Sequence, residues 1–323
     1  KEMNVSSTDI KVSAKLRGRR PYGESCIPIA LLLSLLCAHA ALGQTGQSGL
    51  SFLKLGVGAR SIGMGETHAA IASDASATYY NPSGLIEATK ANLLFMHKEW
   101  VQDVRTEFLG VNIPFDDFAV GLGILTTNIG DIQLRTRPGP PEGTFSSHDF
   151  AGGVSFAARV NSSLNVGGSV KFLYEKIFVD EASGVAFDLG VTYKPSIDGL
   201  RFALVGSNFG SMGSLRDEKI KLPSLFRLGS AYTRELDFVH STLTVGADLV
   251  RVFREDRTHL HTGAEVNYQE MVSFRLGYLF GYETRGFTAG LGIRKDFLKL
   301  DYGFSPQSQD MNNGHTISLE VEF

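Results

Sequence analysis

From Leu93 to the last residue the chain alternates, apolar then polar or small, in segments of roughly ten residues bounded by turn formers. Val272, Phe274, Leu276, Tyr278 and Phe280 share one face of such a segment, while Ser273, Arg275, Gly277 and Gly281 share the other. Phe287, Ala289, Leu291 and Ile293 oppose Thr288, Gly290, Gly292 and Arg294 in the same way. So do Val185, Phe187, Leu189, Val191 and Tyr193 against Ala186, Asp188, Gly190, Thr192 and Lys194. A period of two belongs to a pleated strand and conflicts with the 3.6-residue period of an amphipathic helix. The chain beyond Leu93 therefore reads as all-β.

About fourteen such strands are expected, near Leu93, Val104, Phe118, His148, Leu164, Gly184, Leu200, Ser224, Thr242, Thr258, Val272, Gly286, Leu298 and His315. An even count is what a closed bacterial barrel needs. With both termini on the periplasmic side, the even-numbered connections are brief, around Asp116, 161–163, 195–199, 235–240, Gln269 and Asp296. The long ones, 128–147, 210–222 and 305–313, are all odd-numbered and would lie outside. Short inner turns with long outer loops characterise outer-membrane barrels. The other architecture compatible with alternation is a soluble β-sandwich with its apolar face inward. Ionisable groups of both signs and many of the 36 glycines on one face argue for a lipid-facing apolar side instead. The expected fold is a transmembrane antiparallel β-barrel of about fourteen strands with an N-terminal lumenal plug, placed in the outer membrane of a diderm bacterium.

Lys11, Lys15, Arg17, Arg19 and Arg20 precede an apolar run over residues 27–41 that ends in Ala38-His39-Ala40. This is the pattern of a secretory signal, and it is too short for a stable helical anchor. Cleavage after Ala40 or Gly43 removes Cys26 and Cys37, the only two cysteines. The mature chain is then expected to carry no disulfide and no thiolate metal site. The expected organisation is a signal region at 1–43, a plug at 44–91 and a barrel at 92–323.

Residues 52–85 break the alternation, being rich in Gly and Ala with one compact Tyr79-Tyr80-Asn81-Pro82-Ser83-Gly84 turn cluster. Small residues let backbone approach backbone, and Asn-Pro followed by Gly is turn chemistry. Phe52-Leu53-Lys54, Gly58-Ala59-Arg60, Gly63-Met64-Gly65 and the aromatic-Asn-Pro-x-Gly-Leu run at 80–85 follow in the order found in the PorV/PorQ family of FadL-like outer-membrane barrels, which this stretch resembles. The resemblance implies that Gly58, Arg60, Gly63, Met64, Gly65, Tyr80, Asn81, Pro82 and Gly84 form the signature of a plug. Glu66 and Ser83 depart from it, standing where a small residue and an Ala are common, and an acid at 66 argues against tight burial there. The resemblance implies first a non-enzymatic accessory in protein export and attachment, with secreted cargo or type IX translocon proteins as partners. It implies second a FadL-like channel whose partner is a hydrophobic small molecule.

No Gly-x-Ser-x-Gly elbow, His-Glu-x-x-His or phosphate-binding loop occurs, so neither an enzyme nor a cofactor is expected. His259 and His261 share a strand face as metal ligands do, but they read as polar lumen lining. Lys171, Asp188, Lys194, Asp248, Glu265, Arg275, Arg294, Lys299 and Asp301 fall on inner faces. They read as charges that pair with one another and with the plug, and otherwise as the lining of a permeation route. Arg135 and Arg137 beside Pro138 and Pro140 make the loop 128–147 a stiff basic candidate for docking a partner. A net charge of −3 offers no basic surface for nucleic acid. The terminal strand ends in Phe323 and resembles the signal read by the barrel-assembly machinery, with outer-membrane lipid as the surrounding partner.

Overall fold

The computed structural model describes residues 48–100, 104–216, 218–255, 257–308 and 312–323. The expected signal region, 1–43, and both cysteines lie outside the described residues.

Fourteen antiparallel strands close into one barrel. They are β1 (Asn92–Glu99), β2 (Arg105–Pro114), β3 (Phe118–Leu134), β4 (Gly143–Asn161), β5 (Leu164–Ile177), β6 (Asp180–Tyr193) and β7 (Leu200–Met212). After a two-stranded hairpin of β8 (Ser214–Leu215) and β9 (Glu218–Lys219) come β10 (Leu225–Leu236), β11 (Ser241–Val252), β12 (Arg257–Tyr268) and β13 (Val272–Phe280). The last three are β14 (Phe287–Lys295), β15 (Leu298–Ser305) and β16 (Gly314–Glu322). Each strand pairs with its neighbour in sequence, with β7 joining β10 across the hairpin, and Leu93 of β1 faces both Val111 of β2 and Val321 of β16. Closure leaves no strand edge unpaired, the only way a sheet can stand in lipid.

The alternation decides which side faces out. Leu276 is 58 % exposed and Leu189 68 %, whereas their neighbours Arg275 and Asp188 are 2 % and 1 %. The apolar set points away from the barrel and the polar and small set inward, as expected for lipid outside. The brief connections 115–117, 162–163, 194–199, 237–240, 269–271 and 296–297 all fall at one end of the strands. The remaining connections, at the other end, include the long ones, in keeping with the expected asymmetry.

One expectation about length needs correction. The stretch 128–147 is mostly strand, because β3 runs on to Leu134 and β4 begins at Gly143, so only 135–142 is loop. A bulge between Ile129 and Ile132, with Asp131 at φ 51°, lets the hairpin continue past the apolar belt. Polar residues beyond that belt signal solvent, and strand pairing persists into it.

Candidate functional site

Inside the barrel lies the segment that precedes β1. It comprises a 3-10 turn (Ser51–Lys54), two helical turns (Ala59–Gly63 and Ala77–Tyr80) and a 3-10 stretch (Pro82–Glu87). None is long enough to be stable alone, so the barrel wall must supply the partners. Gly63 lies against the wall of β14, where an added Cβ would stand 2.8 Å from the Cα of Gly290. Gly65 adopts φ +65° and donates its N–H to Thr288 Oγ1 at 2.9 Å. Met64 is fully buried, and the Gly58 N–H points to Met96 Sδ at 3.0 Å.

Charge carries the next set of ties. Arg60 grips Glu265 of β12 with both arms, Nε to Oε2 at 3.0 Å and Nη2 to Oε1 at 2.7 Å. Glu265 also accepts from Arg275, whose Nη1 donates to Asp301 at 2.7 Å, and Lys299 links Asp301 to Glu320. Asp248 of β11 receives the N–H groups of His68 and Ala69 at 2.9 Å each and faces Arg227. Lys171 pairs with Asp188, Lys194 with Glu87, and Arg294 with Glu322. All nine inner-face charges singled out in the sequence thus have a partner, and four of them, Lys194, Asp248, Glu265 and Arg275, are within one or two links of the N-terminal segment.

The Tyr-Asn-Pro cluster sits on the opposite wall. Tyr80 Oη accepts the Val57 N–H at 3.0 Å and shares a hydrogen bond with Ser61 at 2.8 Å, while Arg227 covers its ring. Asn81, wholly buried, donates to the Ala69 carbonyl at 2.7 Å and to Thr192 Oγ1 at 3.0 Å. Its Oδ1 caps the following turn by accepting from Ser83 N–H and Oγ, with Pro82 at the first position. Gly190 of β6 makes room for this side chain, since an added Cβ would stand 2.1 Å from Asn81 Oδ1. Gly84 packs onto the Ala72 carbonyl.

Glu66 overturns the expectation of a loosely packed edge. It is 2 % exposed, holds φ 58°, and pairs with Arg285 in the connection 281–286. Burial opposes its charged form, yet the Arg285 and Lys98 charges outweigh burial and hold the carboxyl at about 2. That connection also supplies Tyr282, which stacks on His259 and meets His261 Nε2 at 2.9 Å. The two histidines thus serve packing of that connection. Among the described residues no group of three or more His, Cys, Asp or Glu is placed to hold a metal. Arg285, Tyr282 and Lys98 were not singled out from the sequence, since their connection to Glu66 spans a large sequence distance.

The other singled-out residues stand apart from the lumen. Arg135, Arg137, Pro138 and Pro140 occupy the exposed 135–142 turn, where Arg135 donates to Gln133 and Gly139 and Arg137 faces Glu142. Phe323 donates its N–H to the Ala91 carbonyl at 2.9 Å and leaves its ring 69 % exposed. At the short-turn end a cavity of about 240 Å³ is lined by charged groups including Asp74, Glu87, Lys90, Arg294 and Glu322.

No protein-family model and no curated protein matches the sequence. Solved structures do resemble the fold. The toluene transporter TodX of Pseudomonas putida aligns with a TM-score of 0.62 at 14 % identity, covering 82 % of this chain and 97 % of its own. The CymD monoaromatic hydrocarbon channel aligns at 0.61 and 14 %, covering 83 % and 98 %. A Pseudomonas aeruginosa FadL homologue aligns at 0.54 and 12 %, again covering 83 % and 98 %. The chain shares the fold of FadL-like outer-membrane barrel channels.

Proposed function

We propose that this protein is an outer-membrane channel that admits hydrophobic small molecules, with the N-terminal segment as a plug that must shift to open the path. The observation that carries this reading is the likeness, over nearly the whole length of TodX and CymD, to barrels described as a toluene transporter and a hydrocarbon channel. The buried ties described above explain why the segment rests closed. They also explain how it could move, because most are single side-chain contacts to the wall. The outward-facing Leu189, Leu276 and Ile293 support a lipid surrounding for the barrel, and Phe323 at the closing strand is the residue proposed to be read during assembly.

This reverses the order of the two roles implied by the sequence resemblance. A PorV/PorQ-type part in export remains the second reading, favoured by the Phe52-Leu53-Lys54, Gly58-Ala59-Arg60 and 80–85 signature. Export would need a protein-docking surface at the end of the barrel opposite the brief connections, where the described residues 135–142, 213–216, 218–224 and 306–308 lie. Shortening 135–142 while leaving the strands intact separates the two, since loops tolerate such cuts. The channel reading expects unchanged uptake of a hydrophobic nutrient and an unchanged set of secreted proteins. Loss of surface-anchored proteins with normal uptake would favour export.

A further inference from the structure

Asp149 of β4 stands directly opposite Glu175 of β5, in a register row that continues to Thr127 of β3 and Ala182 of β6. Both acids share the strand face of the buried Ser147, Ala151 and Leu173, so both point into the lumen. Glu175 is only 9 % exposed. Its Oε2 and the Oδ1 of Asp149 are shut off from solvent and accept no hydrogen bond.

No described cation neutralises them. Lys171, on the same face of β5, is committed to Asp188 at 2.8 Å and Asn208 at 2.6 Å. Lys98 lies in the same row through Thr106 and Thr127, but three strands away, about 14 Å at ~4.8 Å per strand. Like charges directly across a strand pair repel, and a buried carboxylate without a partner is costly. Beside Thr127 and Ser147 the neighbourhood has an apolar part, for Leu125, Ala151, Leu173, Ala182 and Met212 belong to one buried cluster.

Resting on the channel reading, we infer that Asp149 and Glu175 form a recognition site in the lumen wall for a hydrophobic molecule that carries an ammonium group. An ammonium offers three donors and one positive charge, enough to satisfy both open oxygens at once. Its hydrocarbon part meets Leu125, Leu173 and Met212 once the N-terminal segment shifts, since all three are packed in one buried cluster with residues of that segment while it rests in place. A divalent ion fits less well, since it asks for six or more oxygens and no third acid or histidine joins the pair among the described residues.

The test is binding of 2-phenylethylammonium to the full-length barrel in non-ionic micelles by titration calorimetry, beside ethylbenzene, 3-phenylpropionate and Ca²⁺ alone. Wild-type protein is expected to bind the ammonium at least tenfold more tightly than ethylbenzene or the carboxylate. In the Asp149→Asn/Glu175→Gln double variant that preference is lost while ethylbenzene binding is unchanged. No preference in the wild type, an unchanged preference in the variant, or binding of Ca²⁺ without binding of the ammonium would each overturn the inference. The wild-type comparison decides even if the variant fails to fold. Ethylbenzene uptake by cells bearing the wild-type barrel keeps the two levels apart. Uptake without ammonium preference removes only this inference, whereas no uptake removes the channel reading.

Discussion

Asn81→Ala tests whether the Tyr-Asn-Pro cluster holds the N-terminal segment in the lumen. The side chain makes four hydrogen bonds, to the Ala69 carbonyl, Thr192 Oγ1, and Ser83 N–H and Oγ. Ser83 and Thr192 keep their mutual contact at 2.8 Å, so two buried backbone groups, the Ala69 carbonyl and the Ser83 N–H, are left unpaired. At about 1–3 kcal/mol for each orphaned group the local cost is about 2–6 kcal/mol. Barrel closure is untouched, so the cost falls on opening of the segment. Its lower bound corresponds to roughly thirtyfold more frequent opening, at about 1.4 kcal/mol per tenfold. Amide hydrogen exchange in micelles reads this directly. Residues 66–87 should exchange at least thirtyfold faster, with strands β10 to β14 unchanged. Exchange within twofold of wild type in 66–87, or an equal rise throughout the strands, would refute the idea of a local clasp.

Glu66→Gln leaves Arg285 buried without its anion and should loosen the 281–286 connection by about 3–5 kcal/mol, seen as protease cleavage there. The folded carboxyl lies at about 2, below its ordinary value of 4.5, so its contribution is complete above that ordinary value and disappears as pH falls toward about 2. Wild-type exchange in 281–286 should accelerate over that window, and the difference between wild type and Glu66→Gln should vanish at its acid end. Gly190→Val places a branched side chain where Asn81 Oδ1 already sits. The segment should be displaced, giving larger single-channel conductance from a barrel that still shows heat-modifiable gel migration; unchanged conductance would contradict the packing. Removing Phe323 deletes the tie to Ala91 and should lower assembled protein several-fold with synthesis unaltered, which quantitative blotting of membrane fractions checks.

The barrel was legible because one physical fact repeats along it. An apolar outer face and a polar lumen force a period of two, and segments such as 185–194 and 272–280 show it without interruption. All fourteen expected strands correspond to strands of the closed barrel. Where both strand faces meet water the signal disappears, which is why Asn128, Asp131 and Gln133 read as loop although β3 continues through them. The glycines and Asn81 of the N-terminal segment announced close packing, and Gly290 and Gly190 on the wall complete it. Glu66 misled because its neutralising partner is supplied by a connection 219 residues away, and nothing local to residue 66 encodes it. The inner charges were legible as a set, whereas the pairing of Arg60 with Glu265 follows only from the seat of the segment against β12.

The channel reading meets its most direct test in cells, where the lipopolysaccharide leaflet, unlike a plain phospholipid vesicle, resists hydrophobic solutes. The initial rate of radiolabelled ethylbenzene entry should fall several-fold when this protein is deleted and return on complementation, with the secreted and surface-anchored proteins unchanged. Entry at the wild-type rate in the deletion strain, together with loss of those proteins from the surface, would contradict the channel and favour export.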